Sequence, residues 1–352
     1  MSAPERLRLA PGYEISRVIR GGWQLAGGHG EIDKERAVDD LIAAYDAGIT
    51  TFDCADIYTG VEDMIGEFRQ RYRLARGEEA LRRIRVHTKF VPDLDMLPRI
   101  SKAYVESVID RSLKRLRMER LDLVQFHWWD YAAPRWLEAA AHLVDLQRAG
   151  KIDRIGATNF DTDHMLALIE SGVPLVSMQV QYSLIDGRPA RRMVEAARAN
   201  GVSLLCYGTV AGGFLSDKWL GKPEPAMGFE NRSLTKYKLV IDDFGGWALF
   251  QNLLSVLRGI GDRHGSDIAT VASAALLARP AVAGVIVGAR NKSHLAANLA
   301  ISDLALDAAD HAAIDAALGR ASPLAGDVFE LERDRHGRHG SIMKYNLGTG
   351  AA

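Results

Sequence analysis

Four side chains that could carry out acid–base chemistry together follow apolar segments of the sequence: Asp53, Tyr58, Lys89 and His127. A phenol has an ordinary pKa of about 10, which is too high to release its proton readily at neutral pH. A lysine ammonium within a few ångströms would lower that pKa, and a carboxylate would hold the ammonium in place. A histidine beside them could orient an incoming oxygen or relay its proton. The set predicts a proton-transfer site built on Tyr58.

Other kinds of reaction centre are not indicated. The ten histidines include no HxxxH pair and form no Cys/His cluster, so we expect no metal site. No GxSxG segment points to a serine nucleophile. Cys54 and Cys206 lie near strand ends, where we expect them to fill small gaps in the core.

The four side chains must be positioned by a repeating pattern of strands and helices. Near-continuous apolar runs, which are typical of parallel strands covered on both faces, recur eight times. Amphipathic helical patterns separate most of them, for example the helix that Ser101 would cap and the helix that Gly48 would end. This alternation predicts an α/β fold, a single-domain (β/α)8 barrel. The predicted strands are residues 16–23, 50–56, 83–90, 121–128, 152–160, 175–182, 202–208 and 282–290.

A doubly wound open sheet is the alternative architecture. It would require a GxGxxG turn between a strand and a helix, and no strand is followed by one. The nearest glycine cluster, "GGWQLAGGHG" at 21–30, has the wrong spacing and predicts a flexible loop. The barrel is therefore favoured.

Composition and charge exclude several classes of protein. The 352 residues include 44 Lys and Arg against 45 Asp and Glu, a formal net charge of -1, so we expect no nucleic-acid partner. No apolar run approaches the length of a membrane span, and the N-terminus lacks the apolar segment of a signal peptide. Two cysteines fit a reducing compartment. We expect a cytoplasmic protein with a small-molecule partner; nothing in the sequence specifies an oligomeric state.

In a barrel of this kind the C-terminal ends of the strands form the functional face. Hydrogen-bonding or aromatic side chains stand at all eight of these ends. Singly, each has an ordinary explanation, since Lys89 could extend to solvent and Asn159 could cap the next helix. Together they indicate a site at the mouth of the barrel.

The motifs at these ends resemble those of the aldo-keto reductases, from about residue 7 to residue 305. "FDCADIY", "HTKF" and "VQFHWW" carry the four catalytic side chains of that family in order and at its spacing. The resemblance implies reversible, NAD(P)H-dependent reduction of an aldehyde or ketone to an alcohol, with hydride from nicotinamide C4. Tyr58 would protonate the alkoxide with help from Lys89 and Asp53, while His127 would hold the carbonyl oxygen.

The resemblance also implies cofactor contacts. Two segments, "GATNF" and "MQVQY", resemble those that hold the nicotinamide carboxamide in the family. The segment "LLCYGTVAGGFL" resembles the one whose tyrosine stacks on the nicotinamide ring. The segment "GARNKSHLAANL" corresponds to the loop and helix that bind the adenosine end of the cofactor. The implied cofactor-binding residues are Gly22, Trp23, Thr158, Asn159, Gln179, Tyr207, Gly208, Thr209, Leu215, Lys218, Gly288, Arg290, His294 and Asn298.

One departure from the family pattern bears on the choice of cofactor. The Lys–Ser pair that clamps the 2′-phosphate of NADP in many relatives is replaced by Gly288 and Ala289, and Arg290 follows. A guanidinium there could hold the phosphate through two hydrogen bonds. His294 stands where an arginine is often found. We expect NADP(H), with NAD(H) as the alternative.

The substrate pocket and the C-terminal segments are also expected from the resemblance. We expect a long loop at about 209–245 that folds over the cofactor, a barrel through 1–320, and a tail at 321–352. The tail could line the pocket, or it could form a surface arm or a subunit contact. Trp129 could line the pocket or pack on the rim. The implied pocket residues are Trp23, Tyr58, His127 and Trp128.

Two classes of function stay open. The first is a carbonyl reductase; the second is a cofactor-binding, redox-sensing regulatory subunit with little turnover, since a sensor can keep the same four side chains. The lack of an obvious docking segment favours the reductase. An isomerase or lyase on the same barrel is disfavoured because it would not need residues that hold a carboxamide. The physiological substrate cannot be derived from fold-level analogy.

Overall fold

Eight parallel strands close into a barrel, as the recurring apolar runs predict. The computed structural model describes residues 4–28, 30–288 and 291–347. Numbered after an N-terminal hairpin, the barrel strands are β3 (Val18–Gly21), β4 (Thr51–Asp53), β5 (Arg85–Phe90), β6 (Leu121–Phe126), β7 (Ile152–Thr158), β8 (Leu175–Gln181), β9 (Ser203–Tyr207) and β10 (Val282–Gly288). They pair in sequence order, and β10 pairs with β3 to close the ring. All eight predicted strands are confirmed.

Helices surround the barrel and begin and end where the sequence places their caps. The Ser101 side chain accepts a hydrogen bond from the Tyr104 amide at 3.2 Å, at the start of the helix Lys102–Leu116. Gly48 follows the end of the helix Lys34–Asp46 with φ +102°, a conformation that favours glycine. No helix within the described ranges is long and apolar enough to span a bilayer. The helices are α1 (Lys34–Asp46), α2 (Val61–Arg76), α3 (Lys102–Leu116), α4 (Trp136–Arg148), α5 (Thr162–Glu170), α6 (Met193–Ala199), α7 (Arg232–Phe244), α8 (Trp247–His264), α9 (Ile268–Leu277), α10 (Leu295–Asp303), α11 (Ala308–Leu318) and α12 (Glu330–Arg333).

An antiparallel hairpin that the sequence analysis did not predict precedes the barrel. It consists of β1 (Arg6–Ala10) and β2 (Tyr13–Ser16). Ile15 is buried in a cluster with residues from inside the barrel, and Arg154 near the start of β7 donates to the Pro11 carbonyl at 2.9 Å. The hairpin therefore lies against the N-terminal end of the barrel. The charged and apolar residues that alternate from Arg6 to Leu9 are a strand signal, but they form no continuous apolar run of the kind that marks the barrel strands.

The segment at about 209–245 differs from the long loop that was expected. Its second half is α7, which begins after Asn231, whose side chain accepts from the Leu234 amide at 3.0 Å. The apolar face of this helix packs into a second core cluster outside the barrel. Glycines and two prolines in the first half made the whole segment resemble a loop, although the second half has helical spacing. The buried residues of that face are Tyr237, Val240, Ile241 and Phe244.

The C-terminal segment enters the mouth of the barrel through a buried ion network. Glu332 is fully buried and accepts from Arg188 Nη1 at 2.9 Å and Nη2 at 3.0 Å. Arg188 also donates to both carboxylate oxygens of Asp186, and Lys236 Nζ lies 3.6 Å from Glu332 Oε1. Burial raises the pKa of Glu332, but Lys236 and Arg188 outweigh it and hold the pKa at about 2. The surface-arm alternative is therefore wrong for this part of the tail.

Beyond Glu332 the chain crosses the C-terminal end of the barrel. Arg338 pairs with Asp243 at the end of α7. The Tyr345 hydroxyl then donates to the Glu332 carbonyl at 3.0 Å, and the Tyr345 carbonyl accepts from the Leu94 amide at 3.0 Å, in the loop after β5. The tail thus forms a strap over the face on which the strands end. Its assignment as a unit separate from residues 1–320 stays a prediction.

We expect Glu332→Gln to lower the free energy of unfolding by about 3–5 kcal/mol, because it leaves buried cations without their partner. Urea unfolding monitored by tryptophan fluorescence measures this. The exposed pair of Glu14 with Arg6, at 3.4 Å, provides the control, since Glu14→Gln should cost less than about 1 kcal/mol.

The same comparison has a definite pH dependence. A carboxylate with a folded pKa of about 2, below the ordinary 4.5, stabilises the fold above pH 4.5, and this contribution is lost as the pH falls toward 2. The difference in stability between wild type and Glu332→Gln should therefore shrink below pH 4.5. A difference that is absent at pH 7, or one that grows in acid, would contradict the role given to the network.

Candidate active site

A buried ion pair lies at the C-terminal ends of β4 and β5. Lys89 Nζ donates to Asp53 Oδ2 at 2.8 Å and to the Cys54 carbonyl at 2.7 Å. Both charged side chains are only 6% exposed. Burial alone would lower the pKa of Lys89, but the Asp53 carboxylate outweighs it and raises the pKa above its ordinary 10.5. Lys89 is therefore a fixed ammonium at neutral pH.

The second oxygen of Asp53 is held from the opposite side of the barrel. Asp53 Oδ1 accepts from Gln179 Nε2 at 2.6 Å and from Gln125 Nε2 at 3.1 Å. These amides come from β8 and β6, so strands across the barrel fix one carboxylate. A buried charge with this many donors is satisfied and rigid.

Tyr58 lies next to this ion pair, on the loop after β4. Lys89 Nζ is 5.0 Å from the centroid of the Tyr58 ring, and the Trp23 ring packs against the same phenol with centroids 5.0 Å apart. Burial raises the pKa of Tyr58 above 10, although the Lys89 ammonium acts to lower it. The expectation of an unusually acidic phenol is thus corrected: the ammonium acts in the predicted direction, but burial is larger, and Tyr58 keeps its proton at neutral pH.

His127 follows β6 and faces the same space as a neutral imidazole. Its Nδ1 lies 3.1 Å from the Thr158 carbonyl. Because a carbonyl can only accept, Nδ1 carries the proton, and Nε2 is a buried lone pair without a hydrogen-bond partner among the described residues. Burial, reinforced by the charge of Arg333, lowers the pKa of His127 to about 3. The sequence analysis expects His127 to hold a carbonyl oxygen, whereas in this tautomer the free nitrogen can only accept a hydrogen bond.

Of the tryptophans considered for the substrate pocket, two lie beside the site and one is buried in the core. Trp23 is half-buried beside Tyr58, as expected. Trp128 is fully buried, with Nε1 donating to the Asp130 carbonyl at 2.9 Å, so its assignment to the pocket is corrected. Trp129 packs edge-on against His127, with ring centroids 4.2 Å apart, and takes the position expected of Trp128. The residue after His127 turns toward the core, and the next one turns toward the site.

The three residues expected to hold a carboxamide lie on adjacent strands. Thr158 and Gln179 pair across β7 and β8, and the Asn159 amide donates to the Gln179 carbonyl at 2.9 Å. The Tyr207 hydroxyl donates to Asn159 Oδ1 at 2.8 Å. Asn159 Oδ1 and Gln179 Nε2 are engaged in these hydrogen bonds. The amide groups that remain are the NH2 of Asn159 and the side-chain oxygen of Gln179. A primary carboxamide needs this donor–acceptor pair, so the residues fit the group.

Two predicted cofactor glycines have a structural requirement for glycine. The Gly22 amide donates to the Asp53 carbonyl at 2.7 Å, and a Cβ there would lie 2.6 Å from Val61 Cγ1. Gly208 has φ +74°, and a Cβ would collide with the Tyr237 hydroxyl. Both glycines allow backbone to approach closely at the barrel mouth.

Other predicted cofactor residues are engaged elsewhere. The Leu215 side chain is fully buried in the second core cluster, and the contact of this residue with the cofactor stays a prediction. The buried Thr209 hydroxyl lies 3.1 Å from that of Ser273. Lys218 is exposed, with Nζ 5.5 Å from the Trp219 ring centroid, and its contact with the cofactor stays a prediction.

The residues predicted to hold the adenosine end lie near the end of β10. Gly288 ends that strand, and Gln24 packs directly against it. His294 is exposed at the start of α10, and Asn298 is half-buried within that helix. Arg290 lies outside the described residues.

Known proteins resemble this chain over most of its length. Residues 17–318 match the sequence model of the Aldo/keto reductase family. The chain belongs to this family. Its fold is shared with the solved structure of a glycerol dehydrogenase from Gluconobacter oxydans, with a TM-score of 0.74 and 23% identity, covering 92% of this chain and 97% of that chain.

Two curated relatives of this aldo-keto reductase show the range of the similarity. The NADH-specific methylglyoxal reductase of Escherichia coli (strain K12) is 24% identical over 320 residues, covering 84% of this chain and 92% of that protein. Flagellar radial spoke protein 5 of Chlamydomonas reinhardtii is 29% identical over 254 residues, covering 62% of this chain. The match covers 47% of the spoke protein, so the chain spans about half of its length.

Several neighbours of the predicted catalytic and cofactor-binding side chains in this aldo-keto reductase were not themselves predicted. Gln125 had a signal, since it stands two residues before His127 and alternate residues of a strand share a face. Lys236 and Phe329 had none: the Lys236 ammonium lies 5.5 Å from the Tyr207 ring centroid, and the Phe329 ring lies 5.7 Å from that of His127. Both come from segments far away in the sequence.

The neutral state of His127 predicts a flat pH profile. With a pKa of about 3, its charge does not change between about pH 5 and pH 8, so kcat/KM for carbonyl reduction should show no inflection there from this group. The measurement is the initial rate of benzaldehyde reduction across that range. An inflection near 6.5 that disappears in His127→Gln would contradict the neutral state described above.

Proposed function

We propose that the protein reduces an aldehyde or ketone to an alcohol with Tyr58 as the general acid, and that the reaction is reversible. The family supports nicotinamide-dependent carbonyl reduction in general. The observation that carries the specific proposal is the Lys89 ammonium, fixed by Asp53 and the Cys54 carbonyl at 5.0 Å from the Tyr58 ring centroid. A bound nicotinamide cofactor would supply the hydride to the carbonyl carbon.

Proton transfer completes the reaction. As the carbonyl carbon gains hydride, its oxygen becomes an alkoxide, a much stronger base than a phenolate. Tyr58 gives its proton to that oxygen, and the fixed Lys89 ammonium stabilises the phenolate that remains until solvent returns a proton. A raised pKa does not prevent this role, because the phenol must be protonated before the transfer.

His127 acts on the hydroxyl form of the substrate. Its Nε2 lone pair can accept the hydrogen of an alcohol, which holds that oxygen close to Tyr58. This contact favours the alcohol side of the reaction, either as the product of reduction or as the substrate of oxidation. The hydrogen bond from Nδ1 to the Thr158 carbonyl keeps the imidazole in the required tautomer.

We expect Tyr58→Phe to reduce the rate of carbonyl reduction by about 10²–10⁴-fold, the usual contribution of a general acid, with little change in cofactor affinity. Loss of absorbance at 340 nm and cofactor titration by protein fluorescence measure the two quantities. Tyr72→Phe is the matched control, since its hydroxyl bonds to Asp46 on the outside of the barrel. Near-normal turnover in Tyr58→Phe would refute the assignment. Tight cofactor binding by the wild type without turnover of any carbonyl would favour the regulatory subunit.

We propose NADP(H) as the cofactor, with Arg290 holding the 2′-phosphate and NAD(H) as the alternative, since one relative is NADH-specific. Arg290→Ala should raise the KM for NADPH by about 10-fold or more, because a charge-assisted hydrogen bond is lost, and should leave the KM for NADH nearly unchanged. The exposed neighbour Lys292 serves as the control through Lys292→Ala. Equal effects on both cofactors would reject the phosphate role.

A further inference from the structure

Buried hydrogen-bond donors without partners lie beside His127. Within the described ranges, Trp129 Nε1 and both Nε and Nη1 of Arg333 are buried and donate to no acceptor. Unsatisfied buried donors are rare in proteins, and an unpaired group costs free energy. These donors belong to two side chains that meet around one ring: the Phe329 centroid lies 6.5 Å from that of Trp129 and 5.4 Å from the Arg333 guanidinium carbon.

The third nitrogen of Arg333 is fixed on the two loops that carry the catalytic and cofactor residues. Its Nη2 donates to the Trp128 carbonyl at 3.0 Å and to the Asn159 carbonyl at 2.7 Å. The guanidinium also stacks on Tyr131, 4.2 Å from the ring centroid. The charge is therefore held in one position at the site, and it contributes to the lowered pKa of His127.

Arg333 differs from its neighbours in the tail because no carboxylate neutralises it among the described residues. Glu332 is engaged by Arg188, and Arg335 pairs with Asp130 at 3.4 Å. The Trp128 and Asn159 carbonyls, which accept the hydrogen bonds from Nη2, carry no net charge. A guanidinium kept at a buried site without an anion is complementary to an anion from outside the chain.

We propose that Arg333 and Trp129 bind a carboxylate on the carbonyl substrate, so that the substrate class is aldehydes or ketones that carry an acid group. The Trp129 N–H would donate to one carboxylate oxygen, and a free guanidinium N–H would donate to the other. The inference rests on the proposed carbonyl reduction. Phe329, between the two donors and 5.7 Å from His127, packs against the carbon skeleton that joins the carboxylate to the reacting carbonyl.

The test compares 4-carboxybenzaldehyde with benzaldehyde, which differ only in the carboxylate. The wild type should have a kcat/KM for the acid about 10-fold or more above that for benzaldehyde, the usual effect of a hydrogen bond to a charged group. Arg333→Gln should bring the ratio of kcat/KM for the acid to kcat/KM for benzaldehyde close to one, mainly by raising KM for the acid, whatever general loss of rate both substrates share. Arg333→Lys, which keeps the charge, should restore part of the preference.

Arg335→Gln is the matched control, since it removes a neighbouring arginine whose side chain is 51% exposed, and it should change neither substrate. Equal losses on both substrates in Arg333→Gln would mean that Arg333 only fastens the tail, and would overturn the proposal. Equal kcat/KM of the wild type for the two substrates would overturn it as well while leaving carbonyl reduction intact. Reduction of neither substrate would overturn the proposed function and this inference with it.

Discussion

The chemistry of the site depends on one buried ion pair, between Lys89 and Asp53. A buried charge is tolerated only when it is paired and hydrogen-bonded, and this pair recruits donors from across the barrel to meet that condition. Gln125 and Gln179 both donate to Asp53, so the carboxylate connects three strands besides its own. The result is an ammonium whose position and charge are fixed before any substrate arrives, which is the preorganisation that stabilises a phenolate.

A second buried network connects the tail to this centre. Glu332 binds Arg188 and Lys236, and the same short helix carries Arg333, while Phe329 immediately precedes it. The ion network thus fixes the chain at the point where its flanking side chains reach His127 and Trp129. The tail therefore brings side chains to the site, and the strap that it forms also covers the face on which the strands end.

Much of this arrangement can be predicted from the sequence, because period and motif are local properties. The strand ends at Asp53, Lys89 and His127 follow from apolar runs, and the resemblance to the family supplies their roles. What could not be predicted arises from long-range packing: which of two adjacent tryptophans faces the site, which way the imidazole is protonated, and which charges the tail meets. The direction in which the pKa of Tyr58 shifts could not be predicted either, since it depends on burial, which no local pattern encodes.

The central claim is that the carbonyl carbon receives hydride from a nicotinamide while its oxygen receives a proton from Tyr58. The most direct measurement reduces benzaldehyde in ordinary water with a cofactor deuterated at the transferred position of nicotinamide C4, followed by mass spectrometry and NMR of the alcohol. We predict one deuterium on the carbinol carbon, incorporated about 10²-fold or more slowly in Tyr58→Phe, since the hydroxyl hydrogen itself exchanges with water. Hydrogen from solvent at that carbon would contradict it.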